Sequence, residues 1–377
     1  MTAIKILFWF CAFVVFYTFF GYGLVVWIAV KIKELVHPRK QFGIKEEYPE
    51  VTLLIAAYNE EDCVEEKMKN CRALDYPAEK LRIVWVTDGS TDRTPEMLKA
   101  YPGVTVLHEA RRGGKSAALN RAMEYVDTPF VVMTDANTNL NAESIYRIVR
   151  TFDNPKVGCV SGEKRVMTES GTAASTEGVY WKYESFLKDL DFRLHTAVGA
   201  AGELVAIRRE LWQPIPAGVL GDDMNMAMNM FRKGYIIGYC RDAYALEKPS
   251  ASIAEERKRK VRLGASAIQT TKEFRDILNP FKYGVVAFQY FSHRVLRWFG
   301  APSCIILAGV FNLILVIMGA GTFYTVLLAL QILFYLAALA GFHIPYYFLF
   351  ANFSTFAGLK YYLKFDGNGA WERSKRA

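Results

Sequence analysis

Three hydrophobic patterns follow one another along this chain. The first is an uncharged apolar run from Ile6 to Val30, long enough to cross the roughly 30 Å hydrocarbon core of a bilayer. From Val51 to Thr271, short apolar runs alternate with polar turns and helix-like stretches. Beyond Thr271, long apolar stretches return and continue almost to the C-terminus. This order predicts a globular domain held between two membrane regions.

The central segment alternates predicted strands and helices at the spacing of α/β proteins. The predicted strands are VTLLIAA from Val51, LRIVWVT from Leu81, VTVLHE from Val104 and PFVVMTD ending at Asp135. Such alternation predicts a largely parallel sheet, with ligands gathered beyond the carboxyl ends of its strands. Polar residues stand at these ends, namely Tyr58 to Glu60, Asp88 and Asp135.

The C-terminal part predicts one interfacial segment and two or three membrane helices. Residues 272–300 place apolar and basic side chains at helical spacing, which favours helices lying in the interface plane. Pro302 to Gly319 and Thr322 to Phe342 are each long enough to cross a membrane. Ile344 to Leu363 is a third apolar stretch, but a third crossing would leave the basic tail outside. Either this stretch is re-entrant or interfacial, or residues 272–300 also cross.

These boundaries predict four parts: an N-terminal transmembrane anchor and linker (1–48), a globular domain (49–271), amphipathic interface helices (272–300), and a C-terminal transmembrane region with a basic tail (301–377). A cleaved signal peptide is the alternative for the first run, which however ends in bulky Trp27 rather than small residues. Only Lys5 precedes the run, whereas four basic residues follow it: Lys31, Lys33, Arg39 and Lys40. The positive-inside rule then predicts an integral inner (plasma) membrane protein with a cytoplasmic domain.

Composition agrees with a membrane protein and argues against nucleic-acid binding. The 377 residues are 52% hydrophobic and carry a net charge of +8, which juxtamembrane lysine and arginine explain. Basic and aromatic residues are not interleaved as they are in single-strand binders. The six cysteines form no C-x-x-C pair and no zinc spacing, which is typical of buried thiols in a reducing compartment.

Five polar motifs occur in a fixed order: AAYNE at 56–60, TDGSTD at 87–92, GGKSAALN at 113–120, TDANT at 134–138 and LGDDMNM at 220–226. By these motifs the chain resembles the family 2 glycosyltransferases with a GT-A fold. Among them it is similar to membrane-integrated synthases of poly-N-acetylglucosamine, hyaluronan and cellulose. The resemblance implies inverting transfer of a GlcNAc- or glucose-type sugar from a UDP-sugar to a polysaccharide or lipid-linked glycan at the cytoplasmic face.

Four residues are expected at the donor nucleotide. The resemblance implies that Tyr58 and Glu60 contact the base and ribose, and that Asp88 accepts the N3–H of uracil. As local structure alone, the same residues make a good turn. Gly113 and Gly114 precede a helix start that favours an anion, and Lys115 adds a point charge for the diphosphate.

A divalent cation and a base are expected from the two remaining motifs. Asp135 and Asn137 stand where the family carries D-x-D, so the resemblance implies Mg²⁺ or Mn²⁺ bridging the diphosphate. Asp223 matches the catalytic aspartate that deprotonates the acceptor hydroxyl, with Asp222 raising its basicity or orienting it. The alternative for both aspartates is capping of the following helix.

The acceptor side departs from the processive relatives. Their Q-x-x-R-W motif, whose arginine meets the donor diphosphate and whose tryptophan stacks on the terminal sugar, aligns with Arg257, Lys260 and Val261. The resemblance therefore implies that Arg257, Lys260 and Arg262 bind the donor diphosphate, with the basic role in Lys260 or Arg262, whereas the stacking tryptophan is missing. The resemblance places Gly202 and Glu203 near the acceptor. The missing tryptophan keeps open a single-addition enzyme that makes a glycolipid or a polyprenyl-phosphate sugar. Asn137 keeps open a catalytically inactive membrane scaffold, and an accessory subunit is undetermined.

Overall fold

The computed structural model of the protein describes residues 1–38, 47–167, 172–365 and 367, with only the backbone for 172–181. An eight-stranded sheet forms its centre, in the order β3-β2-β1-β4-β7-β6-β8-β5. The strands are β1 (Val51–Ala57), β2 (Leu81–Asp88), β3 (Val104–Glu109), β4 (Phe130–Asp135), β5 (Thr138–Leu140), β6 (Val157–Val166), β7 (Leu204–Arg208) and β8 (Ile236–Glu247). The four strands predicted from the sequence are therefore confirmed, each to within one residue.

The first half of the sheet is parallel, as the alternating pattern predicts. β1 lies between β2 and β4 and runs parallel to both. The register pairs Ala57 with Thr87 and Ala56 with Asp135, so the ends of the three strands coincide. This alignment brings the turns after β1, β2 and β4 to one edge of the sheet.

The second half of the sheet is mixed, which the sequence pattern did not predict. β7 runs antiparallel to both β4 and β6, and β5 runs antiparallel to β8, while β6 and β8 are parallel. Only two residues separate β4 from β5, although β5 pairs at the far edge of the sheet. The sheet must therefore curve until that edge returns to the end of β4.

Helices cover the sheet and extend from it on both sides. They are α1 (Thr2–Val36), α2 (Val64–Arg72), α3 (Thr94–Lys99), α4 (Lys115–Met123), α5 (Ser144–Arg150), α6 (Thr172–Leu194), α7 (Asp222–Arg232), α8 (Ile253–Glu273), α9 (Val285–Ile317), α10 (Thr322–Leu339) and α11 (His343–Lys364). Both α1 and α9 contain π-helical turns, at Tyr17–Gly21 and Tyr290–Gly300. Pro280–Tyr283 forms a single helical turn before α9.

Apolar residues pack on both faces of the sheet because its inner strands are buried on each side. Leu54 and Val86 face a core completed by α4 and α7, which includes Leu119 and Met228. Leu53, Ile55 and Trp85 face a second core beneath α2 and α5. These two layers hold the strand ends rigidly in place.

Three of the described helices, α1, α9 and α10, are long and apolar enough to cross a membrane. The predicted span Ile6 to Val30 lies within α1. The spans predicted from Pro302 and Thr322 coincide with the end of α9 and with α10, except that these helices end at Ile317 and Leu339, two and three residues before the predicted ends. The predicted interface segment is not separate from the second span, because α9 runs without a break from Val285 to Ile317. Its amphipathic first half is a continuation of the span toward the globular domain.

The third C-terminal apolar stretch forms α11, which packs along α8 of the globular domain. Gly264 and Gly358 make the close approach: a Cβ on Gly358 would lie 2.6 Å from the backbone nitrogen of Ala265. A helix in that position lies on the same side as the globular domain. α9 and α10 are each long enough to cross a membrane, and two such crossings would return the chain to that side, in agreement with the interfacial alternative. The basic residues Arg39 and Lys40, and the basic tail, lie outside the described residues.

Candidate active site

Three of the predicted motifs meet at one lysine. The ammonium group of Lys115 lies 2.7 Å from Asp135 Oδ1 and 3.7 Å from Asp222 Oδ2. Burial disfavours its charge, but attraction to Asp135 and Asp222 outweighs this and raises the pKa of Lys115. Residues far apart in sequence thus form one charged cluster at the edge where β1, β2 and β4 end.

Local backbone structure positions each member of the cluster. Asp135 is the last residue of β4, and Asp222 is the first of α7. Lys115 begins α4 directly after Gly114, whose φ of +88° favours glycine. The sequence therefore delivers the three charges from one strand end and two helix starts.

Asp223 has the properties of a base that acts near neutral pH. Burial and the neighbouring Asp222 raise its pKa from 3.8 to about 7, against the opposing effects of the Met224 amide and Lys115. Its Oδ1 accepts a hydrogen bond of 2.8 Å from that amide. A Cβ on Gly202 would lie 3.5 Å from Asp223 Oδ2, so the predicted acceptor loop does reach this carboxylate.

The cluster fits a divalent cation by charge and by ligand type. Asp135 and Asp222 supply two carboxylates against the single ammonium of Lys115, and Asp223 adds a third when it is ionised, so the cluster keeps a net negative charge for a cation to balance. Asn137 Oδ1 is buried and has no hydrogen-bond partner. Carboxylate and amide oxygens are ligands that Mg²⁺ and Mn²⁺ accept. Asp135 and Asn137 would hold the ion, which would offset charge on a diphosphate.

Lys67 stabilises the turn between Asp135 and Thr138, a role that was not predicted from the sequence. It projects from α2, is 1% exposed, and donates to the backbone oxygen of Thr138 at 2.7 Å. Burial lowers the pKa of Lys67 to about 8. The Asp135–Thr138 turn is therefore held by a buried cation as well as by the sheet.

The predicted acceptor residue Glu203 lies in a buried ionic group. Its carboxylate pairs with Lys164, which also pairs with Glu247. Burial alone would raise the pKa of Glu203, but Lys164 lowers it below the ordinary value. Glu203 is therefore ionised, and its charge adds to the factors that raise the pKa of Asp223.

The turns after β1 and β2 are joined by hydrogen bonds. Asn59, which has a positive φ of 53°, accepts from the Thr91 amide at 2.8 Å through its side chain. The backbone amide of Glu60 donates to the Thr94 hydroxyl at 2.9 Å. Tyr58 and Glu60 are half-buried in this joined turn. The structure thus brings the first two motifs together, as predicted.

Asp88 is buried beneath the glycine pair that precedes α4. Its Oδ2 accepts hydrogen bonds from the amides of Gly113 at 3.0 Å and Gly114 at 2.6 Å. Arg121 approaches the other oxygen at 3.8 Å. In this structure the carboxylate predicted to read uracil therefore shapes the loop that leads into Lys115.

Arg112 covers the aromatic ring expected to stack on the base. Its guanidinium carbon lies 3.7 Å from the centre of the Tyr58 ring. Its backbone is packed against Gly89, where a Cβ would lie 2.6 Å from the Arg112 Cβ. A base and a guanidinium cannot occupy the same face of one ring.

We therefore expect Arg112→Ala to bind donor nucleotide about two- to fivefold more tightly than Arg111→Ala, because a cation–π contact of about 0.5–1 kcal/mol no longer covers the ring. Arg111 is an exposed neighbour, so its alanine variant controls for the lost charge. Calorimetric titration with UDP and with GDP measures both variants. Weaker binding by Arg112→Ala than by Arg111→Ala would instead make Arg112 a ligand of the nucleotide.

The basic residues of α8 differ in burial and in their partners. Arg257 is exposed, and Lys260 lies over the Tyr347 ring of α11 at 5.5 Å, with Glu256 at 3.9 Å. The buried cation of this helix is Arg259, whose guanidinium donates to Glu256 at 2.8 Å. Contact of Arg257, Lys260 or Arg262 with a diphosphate stays a prediction.

Helix α8 also anchors the loop that leads into the catalytic candidate. Gln269 accepts from the Leu220 amide at 2.7 Å and donates to the Gly218 oxygen at 2.9 Å. A Cβ on Gly221 would lie 2.3 Å from Ser266 Oγ. The start of α7 is thus fixed by a helix that itself packs on α11.

Known proteins resemble this chain in sequence and in fold. A model of glycosyl transferase family 2 matches residues 52–213. Beta-monoglucosyldiacylglycerol synthase of Synechocystis is 33% identical over 129 residues, which are 33% of this chain and 27% of that protein. Poly-beta-1,6-N-acetyl-D-glucosamine synthase of Staphylococcus aureus is 29% identical over 161 residues, 42% of this chain and 38% of that protein. The chain thus spans well under half the length of either relative.

One solved structure matches almost the whole chain. It is a mannosyltransferase from Pyrobaculum calidifontis in complex with GDP-Man and Mn²⁺, with a TM-score of 0.71 and 25% identity. The match covers 95% of this chain and 99% of that one, so it includes the helices on both sides of the sheet. The predicted fold class, a GT-A domain flanked by apolar helices, is confirmed.

Proposed function

Because residues 52–213 belong to glycosyltransferase family 2, we propose that this chain transfers one hexose, with inversion, from a nucleotide sugar to a lipid acceptor at a membrane. The observation that carries the proposal is the meeting of Lys115, Asp135 and Asp222 beside Asp223. That cluster combines a base, an ammonium group that can bind a diphosphate, and metal ligands at the edge of the sheet where β1, β2 and β4 end.

The residues divide the chemistry as follows. Asp223 takes the proton of the acceptor hydroxyl, whose oxygen attacks the anomeric carbon. The bond from that carbon to the diphosphate breaks, and the nucleoside diphosphate leaves with the bonding electrons. Lys115 stabilises the charge that develops on the leaving group. The new bond forms on the face opposite the broken one, which inverts the anomeric configuration.

Mg²⁺ or Mn²⁺ is the proposed cofactor, held by Asp135 and Asn137. The unpartnered oxygen of Asn137 and the net negative charge of the carboxylate cluster support it. The Mn²⁺ in the mannosyltransferase complex supports it independently. Such an ion, when bound, supplies positive charge to the departing diphosphate.

A lipid acceptor is favoured by the membrane helices and by the names of the relatives. The apolar windows of α1, α9 and α10 are only 17%, 33% and 11% buried, so these helices present most of their surface outward. Transfer of a single sugar to a lipid needs no enclosed path for a polymer, so loosely packed apolar helices that face outward support a lipid acceptor. Two of the relatives are named beta-monoglucosyldiacylglycerol synthases, so the product in their name is a glucosylated lipid. Polymer synthesis is the second candidate, because a poly-N-acetylglucosamine synthase matches 161 residues, a length between the 129 and 194 residues matched by the two glucosyldiacylglycerol synthases.

The donor is proposed to be a UDP-sugar of glucose or GlcNAc type, following the motif resemblance. GDP-mannose is the second candidate, because the structure matched over nearly the whole chain is a GDP-Man complex. A catalytic domain on the cytoplasmic side of an inner membrane is proposed from the basic residues that follow the apolar run Ile6 to Val30. Nucleotide sugars would reach the strand-end cluster from that side.

Transfer assays with purified full-length protein in lipid vesicles test the proposal. UDP-glucose, UDP-GlcNAc and GDP-mannose are each offered with Mg²⁺ or Mn²⁺, and products are separated into lipid-extractable and water-soluble fractions. We expect one donor to give a lipid product carrying a single sugar. A ladder of longer products would favour the polymer candidate. Absence of turnover with every donor would favour an inactive scaffold.

A further inference from the structure

A buried ionic network joins the membrane helices to the globular domain, away from the catalytic cluster. Glu184 and Asp191 project from one face of α6, and His293 of α9 lies between them, 2.5 Å from Asp191 and 3.3 Å from Glu184. Tyr22 of α1 donates to Asp191 at 2.5 Å. Three segments distant in sequence are therefore fastened at one point.

Two arginines of α9 complete this network at Glu184. Arg294 donates to Glu184 Oε1 at 3.0 Å, and Arg297 pairs with Glu184 Oε2. The Glu184 side chain is 5% exposed, and its arginine partners are 14% and 10% exposed. Ion pairs buried to this degree are costly to separate, because the remaining charge is left without water or a partner. The start of α9 is consequently held rigidly against α6.

Arg294 also contacts the loop 198–203, which leads toward Asp223. Its Nε donates to the backbone oxygen of Val198 at 2.7 Å. The next residue, Gly199, has a φ of +105°, and a Cβ there would lie 2.4 Å from Met224 Sδ and 3.7 Å from Arg294 Nη2. The loop 198–203 therefore lies between the span helix α9 and the start of α7.

The far end of the same loop lies against the proposed base. A Cβ on Gly202 would lie 3.5 Å from Asp223 Oδ2. Between the two ends, Ser161 Oγ accepts a hydrogen bond of 3.1 Å from the Ala201 amide. The loop 198–203 thus has three fixed points: Arg294, Ser161 and the Met224–Asp223 pair.

We propose that Arg294 is a positioning residue: it fixes the loop 198–203 relative to Asp223, so that acceptor alignment depends on how α9 packs on the globular domain. The inference rests on the proposed function. It assigns to a membrane helix a direct mechanical part in aligning the acceptor hydroxyl. The donor side, formed by Lys115 and Asp135, is held by other elements and does not depend on this contact.

Lysine replacement separates positioning from simple stability. Arg294→Lys keeps a cation opposite Glu184 but removes the Nε donor to Val198. Arg297→Lys is the matched control, because it weakens a pair with the same carboxylate from a side chain that faces the Phe19 and Tyr183 rings. Both variants are measured in vesicles for transfer rate, acceptor KM, acceptor-independent donor hydrolysis, nucleotide affinity and thermal unfolding.

We expect Arg294→Lys to lower the transfer rate at least about tenfold, while nucleotide affinity and acceptor-independent hydrolysis stay within about twofold of wild type. Arg297→Lys should change transfer by about twofold or less at a similar unfolding temperature. Ser161→Ala, which frees the loop at another point, should repeat the Arg294→Lys signature and serves if Arg294→Lys does not fold. Equal transfer by the two lysine variants, or a parallel loss of donor affinity, would overturn the inference. A wild-type protein inactive with every donor would count against the proposed function itself.

Discussion

Asp223→Asn is expected to lower sugar transfer by at least about two orders of magnitude, as loss of a general base usually does. Asparagine keeps the size of the side chain and its acceptor oxygen toward the Met224 amide, so the start of α7 should stay in place. Nucleotide affinity should remain close to wild type, because Lys115 and Asp135 are untouched. Turnover assays with calorimetric nucleotide binding measure both effects. Near-normal turnover would reduce Asp223 to a helix-capping residue.

The pH profile adds an independent check on the same residue. Burial and Asp222 raise the pKa of Asp223 to about 7, and only the ionised form accepts a proton. The rate should therefore climb as pH rises through about 7 and then level off. Asp222→Asn removes the second cause of the raised pKa, so its profile should shift to lower pH while much of the transfer survives. A rate that stays constant across roughly pH 5 to 9 would contradict the assignment.

Stability should change in the opposite direction to activity. The pKa of Asp223 is higher in the folded protein than its ordinary 3.8, so ionisation opposes folding, and stability falls as pH rises from 3.8 to about 7. Asp223→Asn cannot ionise. It should unfold at a higher temperature than wild type above pH 7, with the difference shrinking toward pH 4. Thermal unfolding without metal or nucleotide measures this.

Asp135→Asn is expected to lower transfer by about two orders of magnitude or more, because it removes the charged metal ligand and the partner of Lys115. Chelation of divalent ions should have a similar effect on the wild type. Asn137→Asp serves as the matched variant, since it adds a carboxylate in nearly the same volume. It should reach half-maximal activity at a lower metal concentration without losing transfer. Full activity in excess chelator would remove the metal from the mechanism.

Most of the fold and site that could be predicted from the sequence followed from two features, the ends of the strands and the order of the motifs. Apolar runs bounded by polar turns located β1, β2, β3 and β4, and parallel pairing then brought Asp88 and Asp135 to one edge. The mixed second half of the sheet was not predicted, because β5 and β7 pair with strands distant in sequence. The local alternation of apolar and polar residues does not determine which distant strands pair.

Individual side-chain partners were the least predictable part of the site. Lys67 lies in the polar sequence VEEKMKN, which is typical of a solvated helix face, yet it is buried beneath the Asp135 turn. Arg259 is the buried cation of α8, although three neighbouring basic residues had the same local character. Arg112 and Tyr58 meet only because the second and third motifs fold onto the first. Each contact depends on tertiary packing rather than on residue type.

The identity of the product tests most directly whether the protein transfers one hexose to a lipid with inversion. Purified full-length protein in lipid vesicles is given labelled nucleotide sugar and Mn²⁺, and the lipid extract is analysed by mass spectrometry and by NMR of the anomeric proton. We expect one added hexose, with the anomeric configuration opposite to that of the donor, and no such product from Asp223→Asn. A product with retained configuration, or equal product from Asp223→Asn, would contradict it.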